Sequence, residues 1–313
     1  MPYPTPAVTN TTANVFIPEI WSDEIIAAYK KNLVMANLVM KMNFKGKKGD
    51  TVHIPAPTRG NASLKVAETA VTVIADTETE VQVSINRHFE YSRFIEDITE
   101  VQALSSMRQF YTADAGYALA RAVDTDLIRV GRSSNGGAGT NAYATGAFVG
   151  GDGTTAYVAG SNNESALTDA AIRRTIQRLD DNDTSMDQRF FVIPPSSRNT
   201  LMGLARYTEQ AFVGDGSAIR TGEIGNLYGI PVFVSSNVDT TSGSAAARVC
   251  LMGHRDSMVL VEQLAVRSQV QYKQEHLSTL FTSDTLYGVA GLRNAASVGA
   301  ARSSSLFALV VPA

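Results

Sequence analysis

The acidic stretch DDNDTSMD, residues 180–187, has the residue types and spacing that come nearest to a cation site. Its carboxylates recur at alternate positions, as they do in calcium-binding loops, which bind the ion through oxygen atoms. Such a loop also needs a glycine at its sixth position and a glutamate at its twelfth. Ser185 and Phe191 occupy those positions here. We therefore interpret the stretch as a solvated loop between a helix and a strand.

The other chemistry-bearing residues form no recognisable site. The segment HRD at 254–256 resembles a kinase catalytic loop, but no D-F-G motif accompanies it. GGAGTNAYATG at 136–146 lacks the lysine and the flanking strand and helix of a phosphate-binding loop. Cys250 lies in the apolar run ARVCLMG and is expected to be a small buried residue. The four histidines show no metal-binding spacing: they are His53, His88, His254 and His276. We predict no catalytic, cofactor-binding or metal site.

Composition places the chain among folded proteins and excludes several classes of function. Of its 313 residues, 44% are hydrophobic and 18% charged, so it can bury a substantial core in one large unit or two compact ones. The 27 basic and 30 acidic residues give a net charge of −3, which argues against a dedicated nucleic-acid-binding protein. A single cysteine excludes an intrachain disulfide. No apolar run reaches the ~20 residues of a membrane span, and the first 20 residues lack a secretory signal. We expect a soluble protein made inside the cell.

The first hundred residues predict an arm, a helix and a long hairpin. Residues 1–17 are rich in Pro, Thr and Asn and indicate an extended arm, and Pro18 suits the first turn of a helix. From about 50 to 96 the pattern becomes strand-like, with TVHIP in one arm and EVQVSINRHFEYSRF in the other. A polar, threonine-rich segment separates the two arms. Because an isolated two-stranded ribbon is marginally stable in water, we expect a neighbouring subunit to cover it.

A long helix and a compact α/β unit are predicted next. Thr99 and Gln102 form a capping box, and the apolar pattern that follows runs to Gly131. Residues 133–163 indicate a glycine-rich surface loop or weak hairpin. Between 164 and 240 a helix, the strand RFFVIPP, a serine-capped helix PSSRNTLMGLA and a second strand alternate as in an α/β unit. Further strands are predicted in four runs: RVCLMG, SMVLVEQ, AVRSQVQYKQ and SLFALVVP.

The segment TGEIGNLYGIPVFVSSNV, residues 221–238, predicts a tight turn that leads into a short strand. Gly225 and Gly229 are the turn residues, because glycine takes positive φ without a Cβ penalty. Ile230, Val232 and Val234 alternate as strand residues do. Pro231 has no N–H, so the strand begins there, lies at an edge, or leaves one donor side unpaired.

This order of elements, together with FIPEIWSDEI at 16–25 and GEIGNLYGIPVFVSSNV at 222–238, resembles the major capsid proteins of tailed bacteriophages. The resemblance covers nearly the whole chain and implies an α+β fold of the Hong Kong 97 type. In that fold an N-terminal arm, an extended β-hairpin loop, a long spine helix in a peripheral domain and a compact α/β axial domain follow one another. It implies no reaction, because the product of such a protein is a shell.

The resemblance also implies a division of the chain. The arm and short helix occupy residues 1–45, and the extended hairpin loop occupies 46–96. The peripheral domain, with its spine helix and surface loop, spans 97–163, and the axial domain spans 164–245. Residues 246–313 supply strands that complete both domains.

We expect the hairpin to lie across the long helix of the next subunit. Its apolar face is predicted to be poorly covered in a lone subunit, and its charges are predicted to set the alignment with acidic residues of a neighbour. The apolar residues are Val81, Val83, Ile85 and Phe89. The basic residues are Lys47, Lys48, Arg59 and Arg87, and the acidic partners are Glu96, Asp97 and Glu100.

The implied partners are further copies of the chain, as pentamers and hexamers in an icosahedral shell around double-stranded DNA. The resemblance also implies a portal protein, non-specific contact with the packaged DNA, and room for a decoration or cement protein. Some members of the family carry a helical scaffolding segment ahead of the arm. This sequence opens on the arm, which implies a separate scaffolding protein. The expected location is the virion capsid, after synthesis in the host cytoplasm.

Two alternatives stay open at the level of sequence. A bacterial encapsulin shares the fold and encloses enzymes instead of a genome, so the contents of the particle distinguish it. An α/β enzyme with residues 164–240 as its catalytic domain would need convergent polar residues in a cleft, and it leaves the arm and the hairpin unexplained.

Overall fold

The computed structural model describes residues 33–46, 48–56, 62–71, 73, 79–97, 107–133, 147–158, 163–204, 225–238, 247–293 and 305–312. The helices in this part of the chain are α1 (Met35–Leu38), α2 (Met107–Ser133), α3 (Asp169–Asp181) and α4 (Pro195–Met202). The strands are β1 (Met40–Asn43), β2 (Thr51–Ala56), β3 (Thr79–Ser84), β4 (Arg87–Glu96), β5 (Phe148–Val149), β6 (Arg189–Ile193), β7 (Asn226–Leu227), β8 (Ile230–Val234), β9 (Ala247–His254), β10 (Met258–Lys273), β11 (Ser278–Gly291) and β12 (Leu306–Pro312). The predicted arm at 1–17 and the helix that begins at Pro18 lie outside the described residues.

A six-stranded mixed sheet has the order β5-β12-β9-β6-β8-β7. All five residues of β6 are buried, because both faces of this sheet are covered. Phe191 and Ile193 pack in a cluster with residues of α3 and α4. Phe190 and Val192 point the other way, into a cluster that includes Leu127 of α2. The period of two along a strand thus divides β6 between two cores.

Helix α3 lies within the segment between 164 and 240 where a helix was predicted, and a side chain caps its N-terminus. The Thr168 hydroxyl accepts a hydrogen bond from the backbone N–H of Ala171, as an N-cap does. Asp169 follows in the first turn, where a negative charge is favourable. Helix α4 differs from the predicted serine-capped helix. Pro194 is its N-cap residue and makes no side-chain capping bond, and Pro195 takes the first helical position, where its missing N–H costs nothing.

A four-stranded sheet has the order β1-β10-β11-β4. Its centre is a long antiparallel hairpin, β10–β11, which turns at Leu277 with φ 42°. Strand β10 is continuous, although the sequence indicated two strands, and two register shifts between Glu262 and Arg267 accommodate its extra residues. Strand β11 was not among the strands predicted from the sequence.

The predicted hairpin between 46 and 96 is shorter than expected. Strands β2 and β3 pair from Thr51↔Ser84 to Ala56↔Thr79. The predicted second arm divides after β3, and its remainder, β4, pairs with β11 in the four-stranded sheet. The prediction that residues 80–94 form one arm of a ribbon is therefore wrong, because β4 pairs with β11 in a wider sheet.

Helix α2 lies between the two larger sheets. Its 27 residues would span about 40 Å. Its buried Leu127 and Ile128 share one apolar cluster with residues of both sheets, among them Val249 and Leu260. The described helix continues past the predicted stop at Gly131 to Ser133, while the predicted capping box at Thr99 and Gln102 lies outside the described residues.

Candidate assembly surfaces

The apolar residues predicted to face a neighbour lie inside the subunit at the base of the hairpin. Val81, Val83 and Ile85 are buried. They pack in a cluster with Val259 and Val261 of β10. The prediction that this face is poorly covered in a lone subunit is wrong. The alternation of the sequence marks a buried face, and the subunit's own four-stranded sheet is what buries it.

Phe89 and Arg87 also contact their own chain. The ring of Phe89 stacks on Tyr287 with centroids 5.9 Å apart. The Nε atom of Arg87 lies 3.9 Å from a carboxylate oxygen of Asp126, which accepts a hydrogen bond from the Tyr287 hydroxyl at 2.9 Å. Burial, with the Asp126 charge second, holds the pKa of Tyr287 far above its ordinary value. The two residues therefore help to fix β4 and β11 to α2.

The other charged residues that were predicted to align neighbouring subunits differ in exposure and in hydrogen-bond partners. Lys48 and Glu96 are exposed. Asp97 accepts a hydrogen bond from the Tyr272 hydroxyl at 2.8 Å, across the end of the four-stranded sheet. Lys47, Arg59 and Glu100 lie outside the described residues.

The tip of the hairpin carries apolar residues within the segment that was predicted to be polar. We call residues 62–71 and 73 the hairpin tip. Each of them is exposed. The Val66 carbonyl accepts hydrogen bonds from the Thr69 N–H and hydroxyl, and Glu68 has φ 64°, so the chain reverses there. Four aliphatic side chains flank this reversal, with these exposed fractions: Leu64 95%, Val66 63%, Val71 69% and Val73 85%. Their alternation, Leu64 with Val66 and Val71 with Val73, is the signal that could have found them.

A second exposed apolar surface lies at the far half of the β10–β11 hairpin. Three apolar side chains of β10 remain half-exposed there: Val266, Val270 and Tyr272. Phe94 and Leu277 are exposed at the turn end of the same sheet. This half of the sheet thus presents apolar side chains that its own chain leaves accessible.

The turn between β7 and β8 has the geometry that its glycine suggests. Tyr228 and Gly229 have φ 53° and 81°, which is the pattern of a two-residue hairpin turn with both central residues at positive φ. The Tyr228 hydroxyl donates a hydrogen bond to Asp169 in the first turn of α3. Gly225 does not have positive φ, and its carbonyl accepts a hydrogen bond from the Val232 N–H at 3.1 Å. The turn therefore needs glycine at 229 and has no such need at 225.

The acidic stretch at 180–187 and Cys250, which were considered as possible chemical sites, have structural roles. Asp180 of the acidic stretch accepts a hydrogen bond at 2.7 Å from Arg189, which is buried. Cys250 is buried as predicted, and burial raises the pKa of its thiol to about 12. In the described part of the chain no three His, Cys, Asp or Glu side chains cluster as a metal site would require. None of the helices that the structure describes is long and apolar enough to cross a bilayer.

Comparison with known proteins finds a matching family and solved structures with a similar architecture. A family model described as phage capsid protein matches residues 27–303. No curated protein matches the chain significantly. A solved structure of Mycobacterium phage Che8 is similar with a TM-score of 0.73 and 22% identity, covering 94% of this chain and 97% of that one. The capsid structure of Cyanophage P-SCSP1u gives a TM-score of 0.75 with 19% identity, covering 99% and 98%. The capsid of Cyanophage Pam1 gives 0.71 with 12% identity, covering 98% of each chain.

These findings confirm the predicted α+β phage capsid fold and overturn the alternative of an α/β enzyme. Because the family model spans most of the sequence, the chain belongs to the phage capsid protein family and is a structural protein of the capsid shell, not an enzyme.

Proposed function

We propose that copies of this chain assemble as pentamers and hexamers into an icosahedral shell that encloses double-stranded DNA, after synthesis in the host cytoplasm. The observation that carries the proposal is the hairpin tip, because the subunit exposes four aliphatic side chains there and covers none of them. A soluble protein gains by removing such a cluster from water. In a shell, every copy can offer its tip to the next.

The energetics of the hairpin support a contact between copies. Its base is anchored, since Val81 and Val83 are buried against β10. Its tip makes its own reversal and belongs to none of the sheets formed by the described residues. Full burial of an aliphatic side chain contributes roughly 1.5–3 kcal/mol, and a closed ring repeats the contact at every subunit.

Charges play a smaller part in this proposal than in the sequence prediction. Arg87 and Asp97 already have partners in their own chain. Lys48 and Glu96 are exposed and able to set the alignment of neighbours. Exposed ion pairs are individually weak, so we assign affinity to the apolar tip and register to these charges.

The domain assignments and the remaining partners belong to the same proposal. Residues 97–163 form the peripheral domain around α2, and residues 164–245 form the axial domain. Strands β9 and β12 join the six-stranded sheet while β10 and β11 join the other, which supports a C-terminal segment that completes both domains. A separate scaffolding protein, a portal protein and, where present, a decoration protein would complete the particle.

Replacement of residues 58–78 by a short Gly-Ser turn tests the proposal. We expect a folded, soluble subunit with an unchanged circular dichroism spectrum that forms no closed particles in negative-stain micrographs, because the buried pairs of β2 and β3 near Ser84 remain. The wild-type chain, expressed alone and with its scaffolding protein, should form them. Normal closed particles from the shortened variant would show that the tip is not an assembly element.

The contents of the particle distinguish a genome shell from an encapsulin. We expect purified particles to protect double-stranded DNA from nuclease. Particles that contain protein cargo and no DNA would support the encapsulin alternative. A wild-type chain that stays monomeric under every assembly condition would contradict both.

A further inference from the structure

Asp124 of α2 is fully buried, and each of its carboxylate oxygens binds a different segment of the chain. Oδ1 accepts a hydrogen bond from the backbone N–H of Met35 at 2.8 Å. Oδ2 accepts one from the side-chain amide of Asn237 at 2.9 Å. Met35 begins α1, and Asn237 lies in the segment that follows β8. One carboxylate therefore connects two segments that are distant in sequence to the same turn of α2.

The contact with α1 replaces a helix cap. The residue before this helix is Val34, whose side chain makes no capping hydrogen bond. The first N–H groups of a helix have no partners within it. Here the backbone of Met35 and that of Val34 bind the carboxylate of Asp124 instead. Release of the carboxylate would leave the start of α1 without this acceptor.

Both segments also bury apolar side chains near Asp124. Met35 and Val238 are buried, and both belong to the cluster that contains Leu127 of α2. Water therefore reaches the carboxyl group only when these segments separate from α2. Local opening of this kind exposes one part of a folded chain without unfolding the rest.

The side chains that the two segments bring to Asp124 are neutral. Residues 35–38 are Met-Ala-Asn-Leu and residues 235–238 are Ser-Ser-Asn-Val, so neither segment contains an ionisable side chain. The charged side chains of the adjoining elements have other partners or are exposed: Lys41 donates to Asn37, Arg87 and Arg129 pair with Asp126, and Arg121 is exposed. Asp124 is thus enclosed by groups that satisfy its hydrogen bonds without balancing its charge.

A carboxyl group enclosed in this way favours its protonated form, because an ion is costly to remove from water unless an opposite charge accompanies it. Burial raises the pKa of Asp124 above its ordinary value of 3.8, and the hydrogen bonds from Asn237 and from the backbone of α1 oppose the rise in part. When the segments separate from α2, water solvates the carboxyl group and its pKa returns toward 3.8. The closed arrangement therefore binds the proton more tightly than the open one.

We propose that Asp124 is a pH-dependent latch, which holds α1 and residues 235–238 against α2 when it is protonated and releases them more readily when it is ionised. Below pH 3.8 both arrangements carry the proton, and the latch is at its tightest. As the pH rises, the open arrangement ionises first. Its share grows until the pH has passed the pKa of the closed arrangement, and is then constant. The latch is a property of the single subunit and does not depend on the proposed shell.

Hydrogen exchange of free full-length subunits, from about pH 4 to about pH 8, tests the latch. Exchange rates in peptides that cover 33–38 and 235–238, divided by the intrinsic rates of unstructured peptides at the same pH, give the open fraction of each segment. For the wild type we expect this fraction to rise with pH, by at most about tenfold per pH unit because one proton is involved, and then to become constant. An open fraction that is independent of pH, or that falls as the pH rises, would overturn the inference.

Asp124→Asn shows whether Asp124 is the titrating group. The amide keeps an acceptor oxygen for the Met35 N–H and has no titratable proton, so it imitates the protonated carboxyl group. We expect an open fraction that does not change with pH and that is smaller than that of the wild type at neutral pH. The matched control is Asp126→Asn, at the other buried aspartate of the same turn, which should keep the wild-type pH dependence.

The two variants also define how the inference fails. If Asp124→Asn keeps the pH dependence of the wild type, another group controls the opening of these segments. If Asp126→Asn abolishes that dependence, the latch does not reside in Asp124. If Asp124→Asn does not fold, the pH profile of the wild type decides alone. Because every measurement uses free subunits, a failure of the latch is distinguishable from a failure of shell assembly.

Discussion

At the scale of single residues, two aspartates on α2 hold the subunit together by different contacts. Asp124 is fully buried, and its oxygens accept hydrogen bonds from the Met35 N–H at 2.8 Å and the Asn237 amide at 2.9 Å. Burial raises the pKa of Asp124, and these hydrogen bonds partly oppose that rise. Asp126 accepts the Tyr287 hydroxyl. Through these hydrogen bonds, one turn of α2 contacts α1, the segment after β8, and β11.

Asp124→Ala should destabilise the subunit by about 2–4 kcal/mol, because the Met35 N–H loses its Asp124 acceptor and the Asn237 amide keeps only its bond to Thr125. Thermal unfolding followed by circular dichroism measures the loss. Asp187→Ala, at an exposed aspartate in the loop before β6, is the control and should change stability little. Equal melting temperatures of the two variants would show that the Asp124 contacts contribute nothing.

Gly229→Val should lower the melting temperature, because φ 81° is a region that a β-branched residue avoids at a cost of about 1–3 kcal/mol. The cost is strain alone, since an added Cβ would meet no atom within 4 Å. Gly225→Val, directly before β7, is a matched control with equally open space and no positive φ. A loss of stability at 225 as large as that at 229 would point to a cause other than φ.

The burial of a residue was predictable where the residues next to it in the sequence indicate it. Cys250 sits among apolar neighbours in the sequence, and the structure buries it. The failure at Val81, Val83 and Ile85 has a physical reason. Alternation shows that one face of a strand is buried, but it contains no information on whether the covering residues, here Val259 and Val261, belong to the same chain or to another.

At the scale of elements, the β2–β3 hairpin has a buried base and an exposed end. Val83 is 0% exposed and Leu64 is 95% exposed, so the same hairpin contributes to folding at one end and is free for association at the other. The sequence distinguishes the two ends poorly, because valines alternate in both. Strand β11 was missed for a related reason. It carries Thr279, Ser283 and Thr285, which are buried and polar, so the strand lacks an apolar pattern.

Substitution at the two ends of the hairpin should separate assembly from stability. The double variant Leu64→Ser, Val73→Ser is expected to melt like the wild type and to form fewer particles, because both side chains are exposed in the subunit. Val83→Ala is the control at the base and should lose about 1–3 kcal/mol of stability. Sedimentation and thermal unfolding measure the two effects. A large drop in melting temperature for the double variant would mean that the tip packs within its own chain.

The β10–β11 hairpin contains a clamp that should respond to acid. Asp284 accepts hydrogen bonds from Arg267 at 2.8 and 3.0 Å, which hold the pKa of the carboxyl below its ordinary value of 3.8, with His88 at 3.2 Å as a further partner. A lowered pKa in the folded state means that the contribution to stability is present above pH 3.8 and disappears as the pH falls through the folded value.

Asp284→Asn should therefore melt below the wild type at neutral pH, and the difference should shrink as the pH falls below 3.8. Melting curves at several pH values measure this, with Asp187→Asn as an exposed control. A difference that grows toward acid pH would contradict the assignment of the clamp.

At the scale of the whole molecule, the two large sheets share one core around α2. The cluster that contains Leu127 also contains Val249 of the six-stranded sheet and Leu260 of the four-stranded sheet. The second cluster lies on the other face of the six-stranded sheet, where Leu179 of α3 packs with Cys250 and Met252. The capsid fold was predictable from sequence through its resemblance to a known family. The shared core was not, because contacts between distant segments leave no local pattern.

Leu127→Ala should therefore weaken both sheets at once, whereas Leu179→Ala should weaken one. Each change removes a fully buried leucine and should cost roughly 2–5 kcal/mol, so the two variants are matched in severity and differ in position. Hydrogen exchange reports where protection is lost. For Leu127→Ala we expect faster exchange in β9 and also in β11. For Leu179→Ala we expect it in β9 and β6 while β11 keeps its protection. If Leu127→Ala speeds exchange only in the six-stranded sheet, α2 does not couple the stability of the two sheets. In that case a contact made by the β10–β11 hairpin in a shell would not affect the six-stranded sheet through this core.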